Sequence, residues 1–358
     1  MEKLMPERRR QVGAFEVIEF ADVAEIDALR GRRDLPAALD LRWTWEYGSE
    51  VAELRALYEK GKVSQWNAER DVDWSVPCTP EAWIVAPEGS LLAQVLKLMG
   101  RDEETQRAAA FEEIAYLLSQ LLHGEQAALQ LCGQLTNTCE KMDEKWYAAS
   151  QVADEARHVE VFSKLLQRKL GEVHPISPTL KILLEMLLQA PSTREKTLGM
   201  QTLFEGMAVG IMDLMRGQCR NALLADVLRR VEQDEARHAA FGVLMMRRVV
   251  RRASAEERAQ MEDWCFTVLE ALNANQQLDM LVGLGPKYGI EPEAVVRMTT
   301  ALPNFAQLNC LPYMHTVVPN LKALGLLTER READWRRVGM MVDRREVEGL
   351  LASAGPLA

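Results

Sequence analysis

Two apolar stretches of this chain each carry a solitary acid. Residues 197–215, T-L-G-M-Q-T-L-F-E-G-M-A-V-G-I-M-D-L-M, hold only Glu205 and Asp213 as charges, and Glu125 is the only acid for several residues on either side of it. Burying an isolated carboxylate costs several kcal/mol unless it is protonated, paired or bound to a cation. The later stretch is long enough to suggest a membrane span, but an acid at its centre argues instead for a helix packed inside protein.

The same patterning predicts the elements. Helices over 120–135 and 143–167 form an antiparallel hairpin with Thr136-Asn137-Thr138 as its turn, and a second hairpin turns near Gly217 and Asn221. From the level of the acids to the turn each helix runs about 15 residues, roughly 20 Å at the helical rise, and two such hairpins pack as a four-helix bundle. Gly171, Pro175, Pro178 and Pro191 break residues 168–192 into a crossover with a short helix from about 179 to 189. A further helix is expected near 49–62, and Ser254 with Glu257 forms a capping box that starts another after the bundle. Gly283, Gly285, Pro286 and Gly289 mark a loop, with shorter helices following to about residue 350. The expected organisation is all-α: an N-terminal arm and helices over 1–100, the four-helix bundle over 101–253 and a helical extension over 254–358.

Candidate chemistry lies on these helices. The pentapeptide Asp-Glu-Ala-Arg-His occurs at 154–158 and again at 234–238, and the same offset of 80 residues relates Glu125 to Glu205. Two matching sets result, Glu125/Glu155/His158 and Glu205/Glu235/His238. Residues three apart on a helix share a side, so each Glu-x-x-His pair can grip one ion. A lone His on a helix is usually a satisfied core or surface residue, but here two of the chain's five His recur in a repeated motif. Four carboxylates with two imidazoles suit iron or manganese and not a structural zinc. Each ion would take one His and one terminal carboxylate, leaving two carboxylates to bridge; which Glu bridges stays open at this stage.

Composition narrows the classes. The 358 residues are 48% apolar and only 6% aromatic, which favours a large core packed from helices. A net charge of −10 with no basic stripe makes nucleic acid an unsuitable partner. The first ten residues are too charged for a secretory signal, and six scattered Cys without a C-x-x-C pair fit a reducing cytoplasm, so a cytoplasmic location is expected. The chain shows neither iron–sulfur spacing nor a G-x-G-x-x-G fingerprint, so turnover would need an external electron donor, a ferredoxin or a reductase.

A Glu on each of two helices and a Glu-x-x-His on each of two others resembles the ferritin-like di-iron carboxylate superfamily, whose members include ribonucleotide-reductase small subunits. The fuller motif, used in both halves, looks most like the hydroxylase subunits of bacterial multicomponent monooxygenases; the resemblance covers about residues 103–252. It implies a ferritin-like bundle holding two Fe ions, with a Mn/Fe pair as an alternative, activating O2 against a mostly apolar small molecule or carrier-bound acyl chain. It also implies that Asp234 steadies His158 and Asp154 steadies His238 across the bundle, with Arg157 and Arg237 balancing the acids. The substrate pocket is expected along Leu122, Ala128, Leu129, Gln201, Ala208, Val209 and Phe162, with room left by Gly124 and Gly206. Trp43, Trp45, Trp66 and Trp74 would anchor the N-terminal arm or conduct electrons, and the terminal extension would cover the bundle or form a homodimer face.

Other members fit less well. Phe162 stands where a small subunit's radical tyrosine is expected, and the tail L-L-A-S-A-G-P-L-A has no tyrosine. Arylamine N-oxygenases carry an extra His where this chain has Val231, and Val209 replaces the Thr common in the hydroxylases. Ferritin storage shells use shorter subunits. A non-catalytic metal- or redox-binding protein, or a subunit of a larger assembly, remains the alternative from a different class.

Overall fold

The computed structural model describes residues 9–12, 15–18, 35–37, 39–273, 276–291 and 311–341. The helices expected over 292–310 and 342–350, Cys310 and the C-terminal tail lie outside those residues. In chain order the helices are α1 (Ala52–Val63), α2 (Leu91–Leu98), α3 (Glu103–Thr138), α4 (Met142–Leu165), α5 (Pro178–Leu188), α6 (Thr193–Lys196), α7 (Glu205–Gln218), α8 (Ala222–Arg252), α9 (Ala255–Asn273), α10 (Gln276–Leu284), α11 (Leu311–Met314), α12 (Val317–Leu324) and α13 (Glu332–Arg337). A short antiparallel hairpin, β1 (Arg9–Val12) with β2 (Phe15–Ile18), is the one sheet among the described residues, beside an isolated bridge between Val85 and Cys219. The fold is all-α in character and ferritin-like.

Local chemistry sets the helix starts. Asp102 accepts from the Thr105 backbone amide at 2.8 Å to open α3, and Asn221 accepts from Leu224 at 3.1 Å to open α8. Ser177 caps α5 ahead of Pro178, whose fixed φ suits the first helical position. The Ser254/Glu257 capping box is present in both directions, with the Ser254 amide 2.8 Å from Glu257 and the Glu257 amide 3.2 Å from Ser254 Oγ.

Several boundaries differ from the sequence expectation: α3 begins at Glu103 and not near residue 120, and Gly283, expected in a loop, lies within α10. Residues 136–138 belong to α3: Thr136, Asn137 and Thr138 each donate a side-chain hydrogen bond to the carbonyl four residues back, so they prolong the helix, and residues 139–141 make the turn. The apolar run over 197–215 is not one regular helix. Thr197–Phe204 is π-helical and passes into α7 at Glu205, with Thr202 Oγ1 donating to the Thr197 carbonyl five residues back at 3.4 Å.

α3 pairs with α4 and α7 with α8, and α4 meets α8 across the bundle. The buried apolar residues divide around these helices. One cluster gathers Leu131, Tyr147, Leu203, Phe241 and Met245 with α5, α9, α12 and Trp335; the other gathers Leu118, Phe162, Met212, Leu228 and Val231 with Ile84 and Val85. On α3, α4 and α8 the candidate ligands fall between the two sets in sequence. They are therefore flanked by packed hydrocarbon on both sides.

Candidate dimetal centre

All six sequence-predicted ligands converge. Glu125, Glu155, His158 and Glu235 form one group and Glu155, Glu205, Glu235 and His238 a second, each with its ligand atoms within 4.8 Å of one another and every residue buried. Glu155 and Glu235 belong to both groups, while Glu125 and Glu205 each belong to one. His158 Nδ1 lies 2.9 Å from Glu235 Oε1, 3.2 Å from Glu125 Oε2 and 3.4 Å from Glu155 Oε2. His238 Nδ1 lies 3.1 Å from Glu235 Oε2 and 3.2 Å from Glu155 Oε1.

The far side of each ring meets an acid from the other half. His158 Nε2 is 3.1 Å from Asp234 Oδ2, and His238 Nε2 is 3.3 Å from Asp154 Oδ2. Arg157 donates to Asp154 Oδ1 at 2.7 Å and to Asp234 Oδ2 at 2.8 Å, and Arg237 donates to Asp234 Oδ1. Burial alone would raise the Asp234 carboxyl, but His158 and Arg157 outweigh it and hold the group far below the usual carboxylate range. An ionised acid at Nε2 keeps the proton there and leaves Nδ1, facing the glutamates, as the ligating atom.

The cluster has the charge demand of a metal site. Burial first, then the neighbouring Glu235, push Glu125 and Glu205 well above the ordinary carboxylate range. Burial works against protonating His238, yet Glu235 and Glu155 pull it up to about 10. Without cations, then, the carboxylates draw protons onto their neighbours. Apart from their approach to His158 Nδ1, Glu155 Oε2 and Glu235 Oε1 are buried without a hydrogen-bond partner, the kind of acceptor that a cation satisfies. The donor set fits two hard or borderline divalent ions, such as iron or manganese.

Several side chains at the centre were not foreseen. Gln151, one turn before Glu155 on α4, donates to Glu155 Oε1 at 2.8 Å and to Glu205 Oε1 at 3.2 Å. Gln65, just beyond α1, donates to Asp154 Oδ1 at 2.8 Å and accepts from Arg157 at 2.6 Å; Trp66 Nε1 donates to Asp234 Oδ2 at 2.8 Å, and its ring stacks 6.5 Å from that of His158. The Gln-x-x-x-Glu spacing was a usable signal for Gln151. No local signal pointed to Gln65, which lies 89 residues from the acid it binds; Trp66, expected to anchor the N-terminal arm or conduct electrons, reaches an acid 168 residues away.

The seven residues expected to line a substrate face lie in different surroundings. Leu122, Phe162 and Ala208 pack in one apolar cluster and Ala128 in the other, while Leu129 and Val209 are only half-buried and belong to neither. Gln201 is buried and donates to Cys132 Sγ at 3.3 Å. Cavities of about 510 and 340 Å³ are lined by none of the seven. The room ascribed to small residues is taken up by neighbours: an added Cβ on Gly124 would meet the Phe204 ring at 2.9 Å, and one on Gly206 the Val317 side chain at 3.0 Å. Trp43 and Trp45 are each 72% exposed and so do not anchor the arm, whereas Trp66 and Trp74 pack on the bundle core. No helix among the described residues is long and apolar enough to cross a membrane.

Comparison with known proteins agrees with this geometry. No curated protein sequence matches the chain. Solved structures of R2-like ligand-binding oxidase are similar to it: a mutant with an anaerobically reconstituted Mn/Fe cofactor has 18% identity and a TM-score of 0.43, covering 74% of this chain and 97% of that one. A second structure, with its metal cofactor reconstituted aerobically and then photoconverted, has 16% identity and a TM-score of 0.40, covering 87% and 96%. Scores of that size decide nothing by themselves. The family model described as p-aminobenzoate N-oxygenase AurF matches residues 49–307, a span that includes all six converging ligands, although Val231 stands where arylamine N-oxygenases carry a further His. The chain belongs to the AurF family and is a dimetal, O2-dependent oxidoreductase.

Proposed function

We propose that Glu125 and His158 bind one ion, that Glu205 and His238 bind the other, that Glu155 and Glu235 bridge them, and that the protein oxygenates a small molecule held beside the pair. The sharing of Glu155 and Glu235 by both groups of ligand atoms carries this reading. When bound, the ions supply the reduction of dioxygen. The chain's own residues supply the rest. Asp154 and Asp234 fix the two imidazoles by their Nε2 atoms, and Gln151 holds one oxygen each of Glu155 and Glu205. Packed hydrocarbon on both sides excludes water, which strengthens every charge interaction within.

The family's namesake is a p-aminobenzoate N-oxygenase, so an arylamine nitrogen is the first target to try. A carbon target stays as the second reading because Val231 is fully buried among apolar neighbours and offers no seventh ligand. An external ferredoxin or reductase belongs to either reading.

Anaerobic loading with ferrous iron should bind two ions per chain. Exposure to air should then give an oxo-bridged diferric absorption band, and with reductant and p-aminobenzoate, oxygen uptake with an N-oxygenated product. E155A and E235A should each hold fewer than two ions while circular dichroism stays nearly unchanged. Full metal content in either variant would refute the ligand assignment, and a two-iron protein that consumes no oxygen with any reductant or substrate would favour a binding role.

A further inference from the structure

A second group of metal-type side chains stands apart from the bundle centre. Glu112 lies on the outer side of α3, and Glu172 and His174 lie in the irregular segment that follows α4; their ligand atoms all fall within 4.8 Å of one another. We propose that these three side chains bind one divalent transition-metal ion, such as zinc or manganese, independently of the dinuclear centre.

The imidazole carries the argument. His174 is nine-tenths buried, and its Nε2 is buried with no hydrogen-bond partner. The nearest charged atom is Glu172 Oε1 at 3.6 Å, too far for a hydrogen bond. Two ligands on one tetrahedral ion, at bond lengths of about 2.0–2.2 Å, sit roughly 3.4 Å apart, so the spacing suits a shared cation. Glu172 and His174 are two residues apart in a non-helical segment, which lets both side chains face the same way.

The histidine is also held in place. Its backbone amide donates to Ser119 Oγ at 2.9 Å, its carbonyl lies 3.0 Å from His123 Nε2, and its ring tilts against Tyr116 with centroids 5.7 Å apart. Beside it, a cavity of about 510 Å³ is bordered by Asp102, Glu104, Glu112 and Glu172 with Lys287 as its one basic side chain. Such a wall draws cations. Lys287 and Tyr288 both donate to Glu112 Oε2, at 2.6 Å each, and Lys287 is 62% exposed and free to swing out when a dication arrives. One nitrogen and two carboxylates with open positions form a donor set for Zn2+, Mn2+ or Fe2+. An ion there would tie the crossover segment to α3.

The test is equilibrium dialysis of the full-length, iron-loaded protein against Zn2+, with both metals counted. Wild type should take up one zinc per chain while its iron content holds. H174A and E172Q should weaken that uptake by about a hundredfold or more, since losing even a group that only supports a ligand costs about 10- to 100-fold. E172Q changes an exposed side chain and guards against misfolding in H174A. Wild type binding no extra zinc, or both variants binding it as wild type does, would overturn the proposal. The difference between wild type and variants is read whether or not the dinuclear site fills, so its failure is separable from that of the proposed function.

Discussion

Gln151 shows how much a single amide does in this core. It is fully buried, it donates to carboxylates from two different helices, and its own oxygen has no partner. Q151L removes both bonds at nearly constant volume. Metal affinity should fall about 10- to 100-fold by chelator competition, the usual cost of losing a group that orients a ligand, with little change in helicity. The glycines of α7 make a different point. A Cβ at Gly210 would lie 1.8 Å from the Pro312 carbonyl oxygen, a backbone atom with no rotamer to retreat to. G210A should therefore destabilise by about 3 kcal/mol or more, seen as a lowered Tm. G124A would meet only the tip of the Phe204 side chain and should cost less. In the sequence such glycines read equally well as a substrate cavity or as close packing, because composition does not reveal what lies opposite.

At the scale of elements, helix starts depend on partners remote in sequence. Glu113 of α3 accepts from Ser90 Oγ and from the amides of Leu91 and Leu92, completing the start of α2, and Asp143 of α4 accepts from the amides of Glu50 and Val51 just ahead of α1. Local caps such as Asp102 and Asn221 are legible from neighbouring residues; these remote ones are not. Where α6 passes into the π-helical turn, Lys196 is 2% exposed and donates to the Leu188 carbonyl at 2.6 Å. Burial lowers its ammonium from 10.5 to about 8. Between those values the unfolded chain binds more protons than the folded one, so this residue makes stability rise with pH from about 8 towards 10.5, by at most about 1.4 kcal/mol per pH unit. Denaturant unfolding across that range should show the rise in wild type relative to K196M, which has no charge to lose. Parallel curves would mean that Lys196 is not desolvated as its surroundings indicate.

Across the whole molecule, the segment after α1 closes the bundle over His158 and the Asp154/Asp234 pair. Gln65 and Trp66 complete the Asp154/Asp234/Arg157 network, and Arg157 and Arg230 lie 4.8 and 5.7 Å over the Trp66 ring. The apolar core likewise runs from Val51 and Leu54 through the bundle to Cys265 and Trp335. Stability and metal content are therefore coupled. Two ions, each present at about a hundred times its Kd, would contribute about 5 kcal/mol together. Stripping them with a chelator should lower the Tm by several degrees while leaving most helicity, because the apolar clusters on both sides of the site persist. An unchanged Tm after complete metal removal would show that the buried glutamates are already satisfied without ions.

The sequence by itself determined the bundle, its two hairpins and the six candidate ligand side chains that converge, because a repeated Glu-x-x-His motif and two solitary acids are local patterns whose physical meaning follows from helix periodicity and the cost of buried charge. Tertiary structure alone decided which glutamates the two ligand groups share, that Gln151 also reaches Glu205, that Gln65 and Trp66 bind the two aspartates, that Gly124 and Gly206 are filled by neighbours, and that Glu172 and His174 meet Glu112. Those contacts join residues tens to more than a hundred positions apart, and only packing fixes which distant side chain arrives at a given face.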